Sequence, residues 1–208
     1  MGILKTIFNN TGKPQGLLGK MMVASMNSGH AGLADWGMGL LDVPAPASIA
    51  DLGCGGGRNA AKLMEKYPAA KLTALDHSAI SVEKTRQVNQ AAVRSGRCTI
   101  LQDDVSGMPF EDEAFDLVAA FETVYFWPGP QKSFREACRV LKKGGTFLIV
   151  NESDGENKAD EKWTGMIDGM TIYGAQQLTD ALKQTGFARV DVHKNEKKHW
   201  LCLMARKD

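Results

Sequence analysis

The chain has 208 residues, 43% of them hydrophobic and 24% charged, with 25 basic and 24 acidic side chains and a formal net charge of +1 at pH 7. That length builds one well-buried domain with a short extension, and a charge this close to balance gives no electrostatic reason to expect nucleic acid or an anionic membrane as partner. The cysteines at 54, 98, 138 and 202 are scattered, with no C-x-x-C pair and no histidine at metal-ligand spacing, so the expectations are reduced thiols, no metal and a cytoplasmic location.

At the start, "MGILKTIFNN" turns polar too early for a signal peptide, and no apolar stretch anywhere approaches the roughly 20 residues of a membrane helix. Gly2 and Thr6 fit the M-G-x-x-x-[ST] myristoylation pattern, which is short enough to arise often by chance. From residue 47 onward, short apolar runs alternate with helix-like stretches, the pattern of an α/β domain with a largely parallel sheet. "ASIAD" at 47–51 reads as the first strand. Residues 58–67 put Ala60, Leu63, Met64 and Tyr67 on one helical face, and Pro68 stops that helix. "KLTALD" at 71–76 reads as the second strand, followed by a helix from about Ala79 to Arg94 and by strands "CTILQD" at 98–103 and "FDLVAAF" at 115–121.

Residues 131–142 suit an amphipathic helix with Phe134, Cys138 and Leu141 on one side, closed by Gly144 and Gly145. "GTFLIV" at 145–150 is then a buried strand. The polar stretch 151–160 reads as a mobile loop leading into a cap segment with Trp163, Met166 and Met170. A helix near 175–185 stops at Gly186, and "ARVDVHK" and "HWLCLMAR", joined by the charged "NEKK", must pair antiparallel. His193 and His199 flank that turn and read as solvated side chains.

The chemistry lies in "DLGCGGGRNA" at 51–60. A dinucleotide fingerprint, G-x-G-x-x-G, starting from Gly53 and Gly55 would need glycine at 58, where Arg58 stands. A P-loop fails as well, since no G-K-[ST] follows. The remaining pattern, D-x-G-x-G-x-G over Asp51, Gly53, Gly55 and Gly57, resembles the first motif of the class I S-adenosylmethionine-dependent methyltransferases, in the neighbourhood of the type 11 and quinone C-methyltransferase-like members. Such a cofactor has a ribose, a sulfonium and an amino acid end but no phosphate, so close backbone approach by glycines matters more than a pyrophosphate-binding helix end.

Other segments agree in order and distance over about residues 26 to 207. Asp76 ends the second strand about 20 residues past the glycines, where the resemblance implies a ribose contact. "QDDVSGMPFEDEAFDLV" implies an adenine contact from Asp104 and Val105, with Asp103 as the competing choice. "FETVYFW" implies that Phe121 and Glu122 line the cofactor near the transferred methyl, and "LKKGGTFLIVNE" matches the helix, glycine turn and fifth strand. Cys54 and His77 complete the implied cofactor-binding set, Cys54 as a small residue within the motif.

The resemblance implies a Rossmann-like, doubly wound α/β fold. Its seven-stranded sheet is mostly parallel, with a C-terminal antiparallel hairpin and helices on both faces. The resemblance also implies an N-terminal helical lid segment over residues 1–45 and a methyltransferase domain over 46–208, with a cap near 153–173. "MNSGHAGLADW" at 26–36 resembles the M-N…G-x-H…W stretch of the quinone-ring enzymes, so His30 is a candidate base or acceptor contact, against a capping or core role. Tyr125 is the second catalytic candidate. Trp36, Trp127, Trp163 and Tyr173 are candidates for an acceptor pocket, and each would serve equally as core.

The implied reaction is methyl transfer by in-line displacement to a small-molecule acceptor, with S-adenosylhomocysteine as product. The segment after the fourth strand lacks [DN]-P-P-[YFW] and no Pro-Cys nucleophile pair occurs, which sets nucleic acid aside as substrate. A homodimer is compatible with this reading, and stable membrane insertion is not expected. A nicotinamide-dependent oxidoreductase, a non-catalytic S-adenosylmethionine-binding protein and aminopropyl transfer on the same fold stay open as alternatives.

Overall fold

The computed structural model describes Pro14, Gly16, Gly19, Met21, Met22 and residues 29–208. The Gly2–Thr6 pattern and most of the 1–45 lid lie outside these residues. Gly16, Gly19, Met21, Met22 and Gly29 are helical, and the first helix with continuous described bounds is α1 (Ala31–Gly39).

Seven strands form one sheet: β1 (Ser48–Leu52), β2 (Lys71–Asp76), β3 (Cys98–Gln102), β4 (Phe115–Phe121), β5 (Leu141–Asn151), β6 (Arg189–Asn195) and β7 (Trp200–Arg206). Their order across the sheet is β3-β2-β1-β4-β5-β7-β6. The pairs among β1 to β5 are parallel, and β7 runs antiparallel to both β5 and β6. Thus β6 points the same way as β1 to β5, and β7 is the reversed strand of the sheet.

Side chains of β4 alternate between two cores. Leu117, Ala119 and Phe121 face one side with α1 and α2 (Arg58–Lys66), where Leu33, Met38, Leu63 and Met64 are buried. Val118 and Ala120 face the other, with Phe134 and Ala137 of α5 (Pro130–Val140) and Leu178 and Leu182 of α7 (Ala175–Gln184). Burial on both faces explains why these strands read as apolar runs. The four cysteines are free and buried.

Three elements differ from the sequence reading. The helix expected over Ala79 to Arg94 is broken into α3 (Ala79–Val88) and α4 (Gln90–Arg94) at Asn89. The Asn89 amide donates to Gly57 O at 2.9 Å and to Thr85 O at 3.0 Å, bonds that compete with the regular helix and tie it to the glycine turn. The second difference is α5, which stops at Val140 so that Leu141 already pairs with Phe115, ahead of a register shift before Leu117. Asp116 sits at that irregularity and accepts from Ala47 N, Ser48 N, Ser48 Oγ and Lys142 Nζ, which holds the chain extended where a helix end was expected.

The third is the polar stretch after β5. Asn151, Ser153 and Asp154 are buried, and Asp154 Oδ2 lies 3.1 Å from His199 Nδ1, so this segment is fastened and His199 is paired, not merely solvated. The cap reduces to a 3-10 turn (Lys158–Asp160) and α6 (Glu161–Met166). Past α6, Thr171 N donates to Tyr125 O at 2.9 Å.

Strand order reverses between β1 and β4, and the crevice at the carboxyl ends there is where open α/β sheets bind ligands. The turn after β1 is built for close packing. Gly53, Gly55 and Gly57 have φ of +75°, +52° and +81°. At Gly57 a Cβ would stand 2.7 Å from Thr85 Cα and 2.8 Å from Asn89 Nδ2. Gly57→Ala combines left-handed strain with this overlap and is expected to cost about 2–4 kcal/mol, read as a lowered urea midpoint.

Asp51, 1% exposed, lies between Ala74 and Ala119 in the middle of the sheet, and its Oδ2 has no hydrogen-bond partner among the described residues. Burial, reinforced by the charge of Asp76, pushes its carboxyl up to about 7. The folded chain therefore keeps a proton that the unfolded chain has released above about pH 4, and this stabilisation fades as pH rises through about 7. Asp51→Asn is expected to shrink the loss of stability between pH 5 and pH 8 by about 2 kcal/mol, measured by urea unfolding at both values.

Candidate active site

A cavity of about 320 Å³ opens at the switch point. Its floor is the glycine turn, which backbone bonds fasten to β2. Gly53 N and Cys54 N both donate to Leu75 O, at 2.7 and 3.1 Å, and Gly57 N donates to Cys54 O at 3.0 Å. The Asp76 carboxylate continues the fastening: Oδ2 accepts from Gly55 N at 3.0 Å and Oδ1 from Ser78 N at 2.8 Å. Burial pushes this carboxyl up, against the pull of the Ser78 and Gly55 amides. From α3, Thr85 Oγ1 donates to Gly55 O at 2.9 Å.

Of the expected site residues, His30, Gly53, Cys54, Gly55, Asp76, His77, Asp104, Val105, Phe121, Glu122 and Trp127 line the cavity. Both members of the Asp103/Asp104 choice are on the wall. Asp104 Oδ1 accepts from Ser106 N at 2.7 Å, and that bond holds its carboxyl below the usual range. Asp103 Oδ1 turns to Asp104 N at 2.8 Å.

Other expected residues lie off the wall. Asp51 lies within β1 and Gly57 closes the turn, and neither is on the wall. Trp36 packs on Trp200, with ring centroids 5.8 Å apart; Trp163 has Lys162 Nζ 4.8 Å above its ring; and Tyr173 packs against the α5–α7 core. None of the described residues of 153–173 lines the cavity; Ser153 N and Thr171 N are bonded instead to Tyr125 of the 3-10 turn Val124–Phe126. Tyr125, 3% exposed, is also behind the wall, where its hydroxyl donates to Glu122 Oε1 at 3.2 Å and accepts from Ser153 N at 3.0 Å.

Glu122 leaves β4 with φ +57°, and its N–H donates to Val150 O at 2.9 Å. Burial pushes its carboxyl up to about 8, the Glu152 N–H opposing and the Glu152 charge adding to the shift. His30 occupies the N-cap position of α1 but makes no side-chain capping bond.

Leu33, Ala34, Asn59, Ser81, Thr123 and Phe126 also line the cavity and were not singled out in the sequence. Thr123 had the clearest signal, since it directly follows Phe121 and Glu122. Leu33 and Ala34 arrive with α1, which lies close against β5 because Gly37 has no room for a side chain beside Val150. Arg58, in the place of the third dinucleotide glycine, forms a two-pronged ion pair with Asp35 of α1 at 2.7 and 2.8 Å. Four carboxylates, from Asp76, Asp103, Asp104 and Glu122, face this space, with no lysine or arginine among the described lining residues.

Residues 50–149 match a protein family described as "Methyltransferase domain". The chain is 33% identical over 152 residues to a malonyl-[acyl-carrier protein] O-methyltransferase of Herminiimonas arsenicoxydans, covering 71% of this chain and 55% of that one. It is 30% identical over 159 residues to cycloartenol-C-24-methyltransferase 1 of Oryza sativa subsp. japonica, covering 71% and 45%. This chain therefore spans about half the length of these curated relatives. In fold it resembles the structure titled as a complex of the Haloferax volcanii Trm112 methyltransferase activator and a putative methyltransferase, with TM-score 0.78, 21% identity, and 88% and 92% of the two chains covered. With the glycine turn, the switch-point cavity and the reversed strand β7 in place, residues 50–149 of this chain form a methyltransferase domain of the class I S-adenosylmethionine-dependent kind.

Proposed function

We propose that this chain binds S-adenosylmethionine in the switch-point cavity and passes its sulfonium methyl to a small-molecule acceptor by in-line displacement, releasing S-adenosylhomocysteine. The observation that carries the reading is the acidic wall: Asp76, Asp103 and Asp104 face the cavity beside the buried carboxyl of Glu122, with no lysine or arginine among the described lining residues. A cofactor with a sulfonium, an ammonium group and no phosphate suits that charge. A dinucleotide would bring its pyrophosphate against carboxylates with no cation to offset them.

In this reading the Gly53–Gly55 backbone follows the methionine part, and Asp76 receives the ribose hydroxyls. Gly55 and Ser78 occupy one lone pair on each oxygen of Asp76, leaving the others for the ligand. Val105 and one of Asp103 and Asp104 face the adenine, while Phe121 and Glu122 border the methyl. The acceptor enters beside His30 and Trp127. Tyr125 acts through Glu122 as a positioning residue, and Trp36, Trp163 and Tyr173 support the fold. Alignment of donor and acceptor supplies most of the rate, up to about 7–11 kcal/mol.

Isothermal titration of cofactor-stripped protein should give micromolar binding of S-adenosylmethionine and S-adenosylhomocysteine and no heat with NADH. Asp76→Ala should weaken both by at least about tenfold, the loss of charge-assisted hydrogen bonds. No heat with either ligand would overturn the reading, and binding of NADH instead would favour the oxidoreductase. Tyr125→Phe removes the bonds to Glu122 and Ser153 and should lower stability by about 1–2 kcal/mol. With an acceptor in hand, it should slow transfer more than it weakens S-adenosylhomocysteine binding.

A further inference from the structure

Three side chains from distant parts of the sequence meet at the cavity rim. His30 precedes α1, Glu122 follows β4 and Glu152 follows β5, and one donor atom of each lies within 4.8 Å of the other two. His30 Nε2 is 3.5 Å from Glu152 Oε2 and 3.9 Å from Glu122 Oε2. Two ligands bonded to one ion at about 2.0–2.2 Å in a tetrahedral arrangement stand roughly 3.3–3.6 Å apart, so a small contraction brings all three onto one centre.

The orientation of Glu122 is set from outside the cluster. Its Oε1 accepts from the Tyr125 hydroxyl and from the Glu152 backbone N–H, which leaves Oε2 turned toward His30. Among the described residues, no lysine or arginine forms an ion pair with Glu122 or Glu152, the groups that share this histidine. With Nε2 unprotonated and Glu122 ionised, three lone pairs converge, and one bound cation would satisfy them together.

The geometry points to a divalent metal site formed by His30 Nε2, Glu122 Oε2 and Glu152 Oε2, opening onto the cavity. One imidazole and two carboxylates suit a first-row ion such as Zn²⁺, Co²⁺ or Mn²⁺ better than a soft ion that needs thiolates. Three protein ligands leave a coordination position free, as in catalytic zinc sites, and His30 and Glu122 turn that position to the cavity interior. Where methyl transfer is the reaction, an acceptor with an oxygen or nitrogen donor atom would be held there. That last step rests on the function proposed above, whereas the metal site does not.

The test uses the full chain after chelator treatment, titrated with Zn²⁺ by calorimetry and with Co²⁺ by visible absorption. The expected result is one ion per chain, weakened at least about tenfold by His30→Ala and abolished by His30→Ala combined with Glu152→Gln. Circular dichroism and S-adenosylhomocysteine titration of the same variants check that the fold and the cofactor cavity persist. No stoichiometric ion, or ion binding unchanged in a folded double variant, overturns the proposal and leaves a protonated imidazole as the cluster's cation. Metal binding without S-adenosylhomocysteine binding would instead uphold the site and remove the methyltransferase reading.

Discussion

Asp76, 6% exposed at the end of β2, accepts the N–H of Gly55 on one oxygen and that of Ser78 on the other. The turn after β1 and the turn into α3 are thereby held by one side chain, at the point where the sheet changes direction of growth. A carboxylate buried without such donors would be costly, and a glycine turn without such an acceptor would leave its amides unpaired. Each resolves the other's deficit. Thr85 and Asn89 then grip the same turn from behind, through the carbonyls of Gly55 and Gly57. The floor of the cavity is therefore tied together by the protein's own hydrogen bonds.

Much of this was legible in the sequence, for physical reasons. A strand buried on both faces can only be an apolar run, and left-handed turns call for glycine, so the alternation from β1 to β5 and the turn at 53–57 stood out. What was not legible depended on long-range partners. Asn89 breaks a helix because Gly57 O is beside it, and Leu141 enters a strand because Asp116 gathers Ser48 and Lys142 around a bulge. Neither partner is near in sequence. The aromatics show the same limit: Trp127 and Trp163 look alike as letters, but only Trp127 reaches the cavity.

The helix α1 meets this floor from the side. It supplies Leu33, Ala34 and His30 to the wall, and it is held to the glycine-turn helix by Arg58 and Asp35, whose side chains are 22% and 52% exposed. An ion pair so accessible contributes little and weakens with salt, so the apolar contacts of Leu33 and Met38 hold α1 in place. Two carboxylates and an imidazole gather where this helix meets the ends of β4 and β5, at the junction of the floor with α1.

The placement of β7 bears on how the molecule is made. It follows β6 in the chain but lies between β5 and β6, so Arg189–Asn195 cannot join the sheet until Trp200–Arg206 has been synthesised. During translation the outer edge of β5, with Phe147, Leu148, Ile149 and Val150, stays open while β1 to β5 can already pair. An apolar edge of this kind invites pairing with another nascent chain. The reversed strand that completes the sheet thus also covers this apolar edge, and it arrives after every other strand of the sheet.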